Sequence, residues 1–179
     1  MSRRIEDHER FITTILFCDE ACFYISGTVN RDRVIGPFFF AEKTVTSVIY
    51  LDTLQNFVFP QIEALQPEII FQQDGESPHW STIVRDALDK HFPEGWIGRG
   101  GPISWPPSSP NVTPLDFFLW GYVKNIVYKT QVRDIDQLKT RVRDTVTTVN
   151  VGMLARTWQG IEYRLDILRA TNGAYVQLY

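Results

Sequence analysis

The run ITTILFCDEACFYIS (12–26) constrains the chain more than any other stretch. Apolar, aromatic and β-branched residues fill it, as in a β-strand, yet Asp19 stands in its interior. A carboxylate inside an apolar strand is costly unless it is paired, protonated or metal-bound, and ILFCDEACF offers no basic neighbour. Asp19 is therefore the first candidate for a functional role. The two cysteines of the same run, Cys18 and Cys22, lie four apart, so a strand would hold both on one face with their Cα atoms too far apart for a disulfide. No second Cys or His pair completes a zinc set, and both read as reduced core residues.

Gly27 and VNRDR end this run, and RVIGPFFF (33–40) reads as a second strand able to close a hairpin with it. Leu51, Leu54, Val58, Ile62 and Leu65 repeat at helical spacing, which predicts an amphipathic helix kinked at Pro60. EIIFQQ is a third strand, and Ser81 is placed to cap a helix through TIVRDALDKHF. GWIGRGGPISWPPSSPNVTP reads as a loop too long to be a mere connector. Pro114 then opens a helix, LDFFLWGYVKNIVY, with Asp116 in its first turn. Two further helices follow, DIDQLKTRVRDTVTTV and VGMLARTWQGIEYRLDILRATNG, the last closed by Asn172 and Gly173. The pattern is β-β-α-β-α-loop-α-α-α, without internal repeats.

At 179 residues and 44% hydrophobic content the chain can bury a sizeable core as one domain, 11–179, behind a polar segment, 1–10. Its apolar stretches fall short of the roughly 18 residues that cross a bilayer, so the expectation is a soluble protein with no membrane partner. The net charge of −3 excludes polyanion binding through bulk charge, but it hides a gradient. Residues 117–179 hold nine Lys and Arg against five Asp and Glu, a balance of +4, which leaves −7 for residues 1–116. The acidic part suits cations and the basic part phosphates; solvated helix faces are the plain alternative.

Three aspartates stand at points of structural punctuation: Asp19 within the first strand, Asp74 at the end of IIFQQ, and Asp116 at the start of a helix. Mg²⁺ takes a few hard oxygen ligands and keeps several waters, so carboxylates converging from different elements can form a site. Two such ions about 3.5 to 4 Å apart can activate a water on one side of a phosphodiester and stabilise the leaving oxygen on the other. Asp74 also has a plainer reading, since it precedes Gly75 in a DG turn signal, and Asp116 could simply favour the positive end of its helix.

The segments LFCDEACF, RVIGPFFF, YLDTLQNFVFPQI, IIFQQDG followed by His79, WIGRGGPISWPP, SSPNVTPLDFFLWGYVKNIVY and RTWQGIEYRLDILRATNG resemble the catalytic domain of mariner-type DNA transposases of the arthropod kind. The likeness runs from about residue 11 to the C-terminus. It implies an α/β fold of the ribonuclease H-like kind, a mixed sheet with flanking helices. It also implies a catalytic, metal-binding triad of Asp19, Asp74 and Asp116 holding two Mg²⁺ or Mn²⁺ ions. By the same resemblance Asp19 bridges both ions, and the reaction is DNA cleavage followed by strand transfer by the freed 3′-hydroxyl. A nuclear location and a possible homodimer are further implications.

Lys124, Lys129, Arg133 and the series Lys139, Arg141 and Arg143 become candidates for DNA phosphate contacts. Trp105 and His79 are further nucleic-acid candidates, although a histidine in that place also serves local hydrogen bonds. Phe117, Phe118, Trp120 and Tyr122 could stack on bases, but their density in one helix reads as core.

The chain also departs from the family pattern. Asn111 stands where an aspartate is usual, and Glu76 adds charge two residues from Asp74. After VNR the family continues through a polar stretch and another strand, whereas this chain passes almost directly from Arg31 to Arg33. One sheet strand is therefore expected to be deleted, with an edge exposed or the hairpin partners paired directly. Only about ten polar residues precede the domain, so no helix-turn-helix reader is expected, and binding should run through phosphates with strong salt dependence. The alternatives to an endonuclease are a transposon-derived protein that keeps fold and nucleic-acid affinity without catalysis, and a ribonuclease acting on RNA–DNA hybrids, which rests on fold analogy alone.

Overall fold

The computed structural model describes residues 15–21, 25–66, 68–103 and 113–170, excepting the side chains of residues 15, 19–21, 25–27, 168 and 169. The apolar run that opens the chain is not one strand but two, β1 (Ile15–Ala21) and β2 (Ile25–Val29). They pair antiparallel, Phe17 opposite Val29 and Asp19 opposite Gly27, and β3 (Val34–Phe39) continues the antiparallel meander. β4 (Ile70–Gln73) and β5 (Trp96–Ile97) add in parallel on the other side of β1, giving the order β3-β2-β1-β4-β5.

The expected strand deletion is therefore not expressed as a gap. The last two residues of the 12–26 run together with Gly27, Thr28 and Val29, expected to lie in the turn, form β2 between β1 and β3, so β3 has an antiparallel partner and the sheet has five strands. Residues 96 and 97 also belong to the sheet, which shortens the expected loop: Trp96 is fully buried, and its Nε1 donates to Asp89 Oδ1 at 2.8 Å.

Helices cover both faces. α1 (Ser47–Thr53) passes through a π-helical turn (Leu54–Val58) into α2 (Phe59–Ile62) and a 3₁₀ turn (Glu63–Leu65). Pro60 has no N–H to give the carbonyl four residues back, and the irregular turn takes up that break where a kink was expected. α3 (Thr82–His91) starts after Ser81, whose hydroxyl makes no capping bond.

A second π turn (Leu115–Leu119) leads into α4 (Trp120–Val127). α5 (Ile135–Thr147) follows, capped by Asp134, which accepts from Gln137 N at 2.7 Å, and then α6 (Val151–Ala170). The C-cap expected at Asn172 and Gly173 lies outside the described residues. No described helix is long and apolar enough to cross a membrane.

Alternation along β1 divides the core. Leu16 and Cys18 pack with Tyr50, Leu54, Phe71, Leu88 and Trp96 under α1 to α3. Phe17 packs with Val29, Ile97, Leu119, Trp120 and Trp158 under α4 to α6. Its ring meets that of Trp158 edge-on, centroids 6.0 Å apart. Burial on both faces accounts for the near-continuous apolar character of the first strand. Cys18 is a free, buried thiol as expected, and Cys22 lies outside the described residues.

Candidate functional site

β1 and β4 run parallel in the register Ile15↔Ile70, Leu16↔Phe71, Phe17↔Gln72, Cys18↔Gln73. The next residue in each chain segment is an aspartate, Asp19 still within β1 and Asp74 just past the end of β4, so both follow the last paired residues at the carboxyl end of these two strands. The side chain of Asp19 lies outside the described residues.

Asp74 is partly exposed, and its Oδ1 accepts two hydrogen bonds, from the backbone N–H of Glu76 at 3.1 Å and from Nδ1 of His79. The first is the local turn bond that a DG sequence invites, so Asp74 does shape its loop. The second comes from a residue with no exposure at all. A carboxylate can only accept, so His79 carries its hydrogen on Nδ1, and its buried Nε2 has no partner. His79 backbone N–H closes the loop on Glu76 O at 3.0 Å. The His79 ring is enclosed and serves local hydrogen bonds, the plainer of its two expected roles.

The enclosure is itself polar. The Tyr50 ring lies 4.1 Å from that of His79, and its hydroxyl donates to Gln73 Oε1 at 3.2 Å and meets Cys18 Sγ at 3.6 Å. Gln73 Nε2 donates to the His79 carbonyl at 2.7 Å. Sequence reading missed Tyr50 and Gln73 as members of the site. The available signal was a pair of amides closing an otherwise apolar strand. On the opposite face, the buried Gln72 amide makes no hydrogen bond at either end.

Asp116 belongs to the π turn after Pro114, its N–H donating to Thr113 O at 3.0 Å, and the turn packs against β1 and β2. The residue is exposed in area, yet burial among its neighbours, then the charge of Asp74, pushes its pKa up to about 6, with Lys124 opposing. Service to the helix N-terminus would lower that pKa, so the plain reading of Asp116 does not account for its environment. Two hard carboxylates that feel each other's charge are donor chemistry of the kind a divalent cation takes. Among the described residues no group of three or more His, Cys, Asp or Glu is drawn together as a metal cluster.

The expected phosphate contacts divide. Lys124, Lys129 and Arg133 are exposed. Arg141 is not available: its guanidinium donates to the carbonyls of Val127 at 2.9 Å, Thr130 at 2.8 Å and Gln131 at 3.2 Å, closing the end of α4. Lys139 and Arg143 lie over the Phe39 ring, 5.7 and 4.8 Å from its centroid. Trp105 and Asn111 are outside the described residues. The helix aromatics are packing groups: Trp120 is buried, Phe118 stacks on Tyr122 at 5.9 Å, and Phe117 lies beneath Arg164 at 4.3 Å.

The Mos1 transposase catalytic domain solved with raltegravir and Mn superposes with a TM-score of 0.80 at 19% identity, covering 98% of this chain and 90% of that one. The fold is that of the mariner transposase catalytic domain. The crystal structure of the catalytic domain of Mos1 mariner transposase gives a TM-score of 0.78 at 18% identity, over 98% of this chain and 91% of its own. The Mos1 paired-end complex with Mn gives 0.79 at 16% identity, with 98% of this chain matching 61% of the longer transposase chain. No family model and no curated protein matches the sequence.

Proposed function

We propose that this chain is the catalytic core of a mariner-type transposase, a metal-dependent endonuclease and strand-transferase acting on DNA. One observation carries the reading. The parallel pairing that ends at Cys18↔Gln73, one residue before Asp19 and Asp74, supports these two as members of one site, and the π turn packed on β1, with the charge of Asp74 acting on Asp116, supports Asp116 as the third. The neighbouring Mos1 structures with Mn and with Mg support divalent-ion use, and those of paired-end and strand-transfer complexes support DNA as the partner.

Asp19, Asp74 and Asp116 would hold Mg²⁺ or Mn²⁺, and such ions, when bound, lower the pKa of a water and neutralise charge developing on a phosphodiester. The protein's part is orientation and charge. Asp74 presents a carboxylate whose Oδ1 is fixed by Glu76 N and His79 Nδ1. Asp116, with its pKa near 6, is ionised above neutrality and ready to act as a ligand. Lys124, exposed and close enough to act on Asp116, is placed to meet a phosphate at the same site.

Nicking of supercoiled plasmid at low salt tests the reading. The wild-type protein is expected to nick with Mg²⁺ or Mn²⁺ and to stop in EDTA, while Asp74→Ala and Asp116→Ala stay folded and inactive. A folded wild-type protein that never nicks would sink the nuclease reading and leave, if it still retards DNA, the binding role.

A further inference from the structure

The polar chain beneath Asp74 is a poor way to fill a core. Cys18, Tyr50, Gln73 and His79 all have zero exposure, and burying a tyrosine hydroxyl, an amide and an imidazole stabilises a fold no better than packed hydrocarbon unless their bonds are made. Here, His79 Nε2 apart, they are made along one path. Tyr50, on α1, touches β1 at Cys18, the residue before Asp19, and β4 at Gln73, the residue before Asp74. From Tyr50 two routes reach His79: the ring contact at 4.1 Å, and the Gln73 amide to the His79 carbonyl at 2.7 Å. His79 then bonds Asp74 Oδ1. The loop 74–79 is thus pinned at its start by the strand, at its end by Gln73, and across its middle by the Glu76 and His79 backbone bond.

We propose that Tyr50, Gln73 and His79 form a buried clamp in which His79 is the positioning residue for Asp74, fixing the plane of its carboxylate for a divalent cation. This rests on the metal-dependent reading above. The logic is that of any ligand held by a second layer of hydrogen bonds: a free Asp side chain must be ordered when the ion arrives, whereas a fixed one has been ordered by folding. Tyr50 works one step further back and ties together the two strands that end in aspartates.

The test is Mn²⁺ affinity, read from the electron paramagnetic resonance signal of free Mn²⁺, with melting in EDTA as the measure of folding. Five proteins are compared: wild type, Asp74→Ala, Tyr50→Phe, His79→Leu and His79→Asn. Asp74→Ala should lose the tight site. Tyr50→Phe, which keeps the ring and loses the hydroxyl, and His79→Leu should each bind about 10- to 100-fold more weakly. His79→Asn, whose amide N–H can stand near the place of Nδ1, should recover most of the loss although it gives up the ring contact. Recovery separates positioning from packing, because a purely structural role would make both His79 variants equally weak.

Unchanged Mn²⁺ affinity in folded Tyr50→Phe, or no recovery in His79→Asn relative to His79→Leu, overturns the clamp while Asp74→Ala still upholds the metal site. A wild-type protein that takes up no Mn²⁺ at all overturns both. If His79→Leu fails to fold, Tyr50→Phe alone decides.

Discussion

Cys18 on β1 stands directly beside Gln73 on β4, and the residue that follows each is an aspartate. The parallel register thereby brings to the carboxyl end of two adjacent inner strands two positions separated by more than fifty residues in the chain. Were β4 to slip by one residue, Asp74 would leave the level of Asp19, and Gln73 would exchange the Tyr50 face for the other.

Asp116 makes stability depend on pH. Its folded pKa of about 6 lies above the ordinary 3.8, so between these values the folded state holds the proton more tightly than the unfolded one. Stability from this group is therefore present at acid pH and lost as pH rises from about 4 to about 6. His91 works in the opposite sense. Its pKa is lowered, first by burial, so its contribution is lost as pH falls below its ordinary 6.5. The difference in melting temperature between wild type and Asp116→Asn isolates the first effect. In metal-free buffer the Asn variant should gain on wild type as pH rises through that window and hold its advantage above it.

Gly101 sits against the Trp96 ring, and a Cβ there would lie 2.7 to 2.9 Å from three of its atoms. The ring is fully buried and anchored through Nε1 to Asp89, so it cannot easily yield. Gly101→Ala should cost about 1–3 kcal/mol in urea unfolding. Gly75→Ala, where nothing lies within 4 Å, should cost much less.

Arg141 and Lys124 separate structure from binding. Arg141→Ala removes donors from three carbonyls at the end of α4 and should destabilise the fold by about 1–3 kcal/mol, with DNA affinity little changed. Arg141→Lys should rescue only part, since one ammonium cannot span the same carbonyls. Urea titration and fluorescence anisotropy on one labelled duplex measure the two effects.

Lys124→Ala should show the reverse: near-normal melting, weaker DNA binding, and a slope of log affinity against log salt reduced by about 1. Anisotropy titrations across several salt concentrations provide that slope. An unchanged slope would remove Lys124 from the phosphate contacts.

Much of this protein was legible before folding. The segments 135–147 and 151–170 read as helices because helix-forming sequence is local, and Asp74 and Asp116 mark element boundaries because strand ends and helix starts have their own chemistry. The break of the first run after β1 and the second strand over 25–29 were not legible, since one long apolar strand and two short ones share the same residue types and Gly27 reads as a turn. Nor was β5: a two-residue strand has no periodicity, and Trp96 joins the sheet only because β4 is there to receive it. Arg141 looked like a surface cation until its carbonyl partners came within reach.

The sequence by itself determined which groups were available: an aspartate in an apolar strand, a second where the amides end, a third after proline, and the kinds of element that carry them. Only tertiary structure decided which of them meet. Strand register, the enclosure of His79 by Tyr50 and the nearness of Asp116 to Asp74 all depend on contacts between residues far apart in the chain. Such contacts form where the two cores, one on each face of the sheet, can both close.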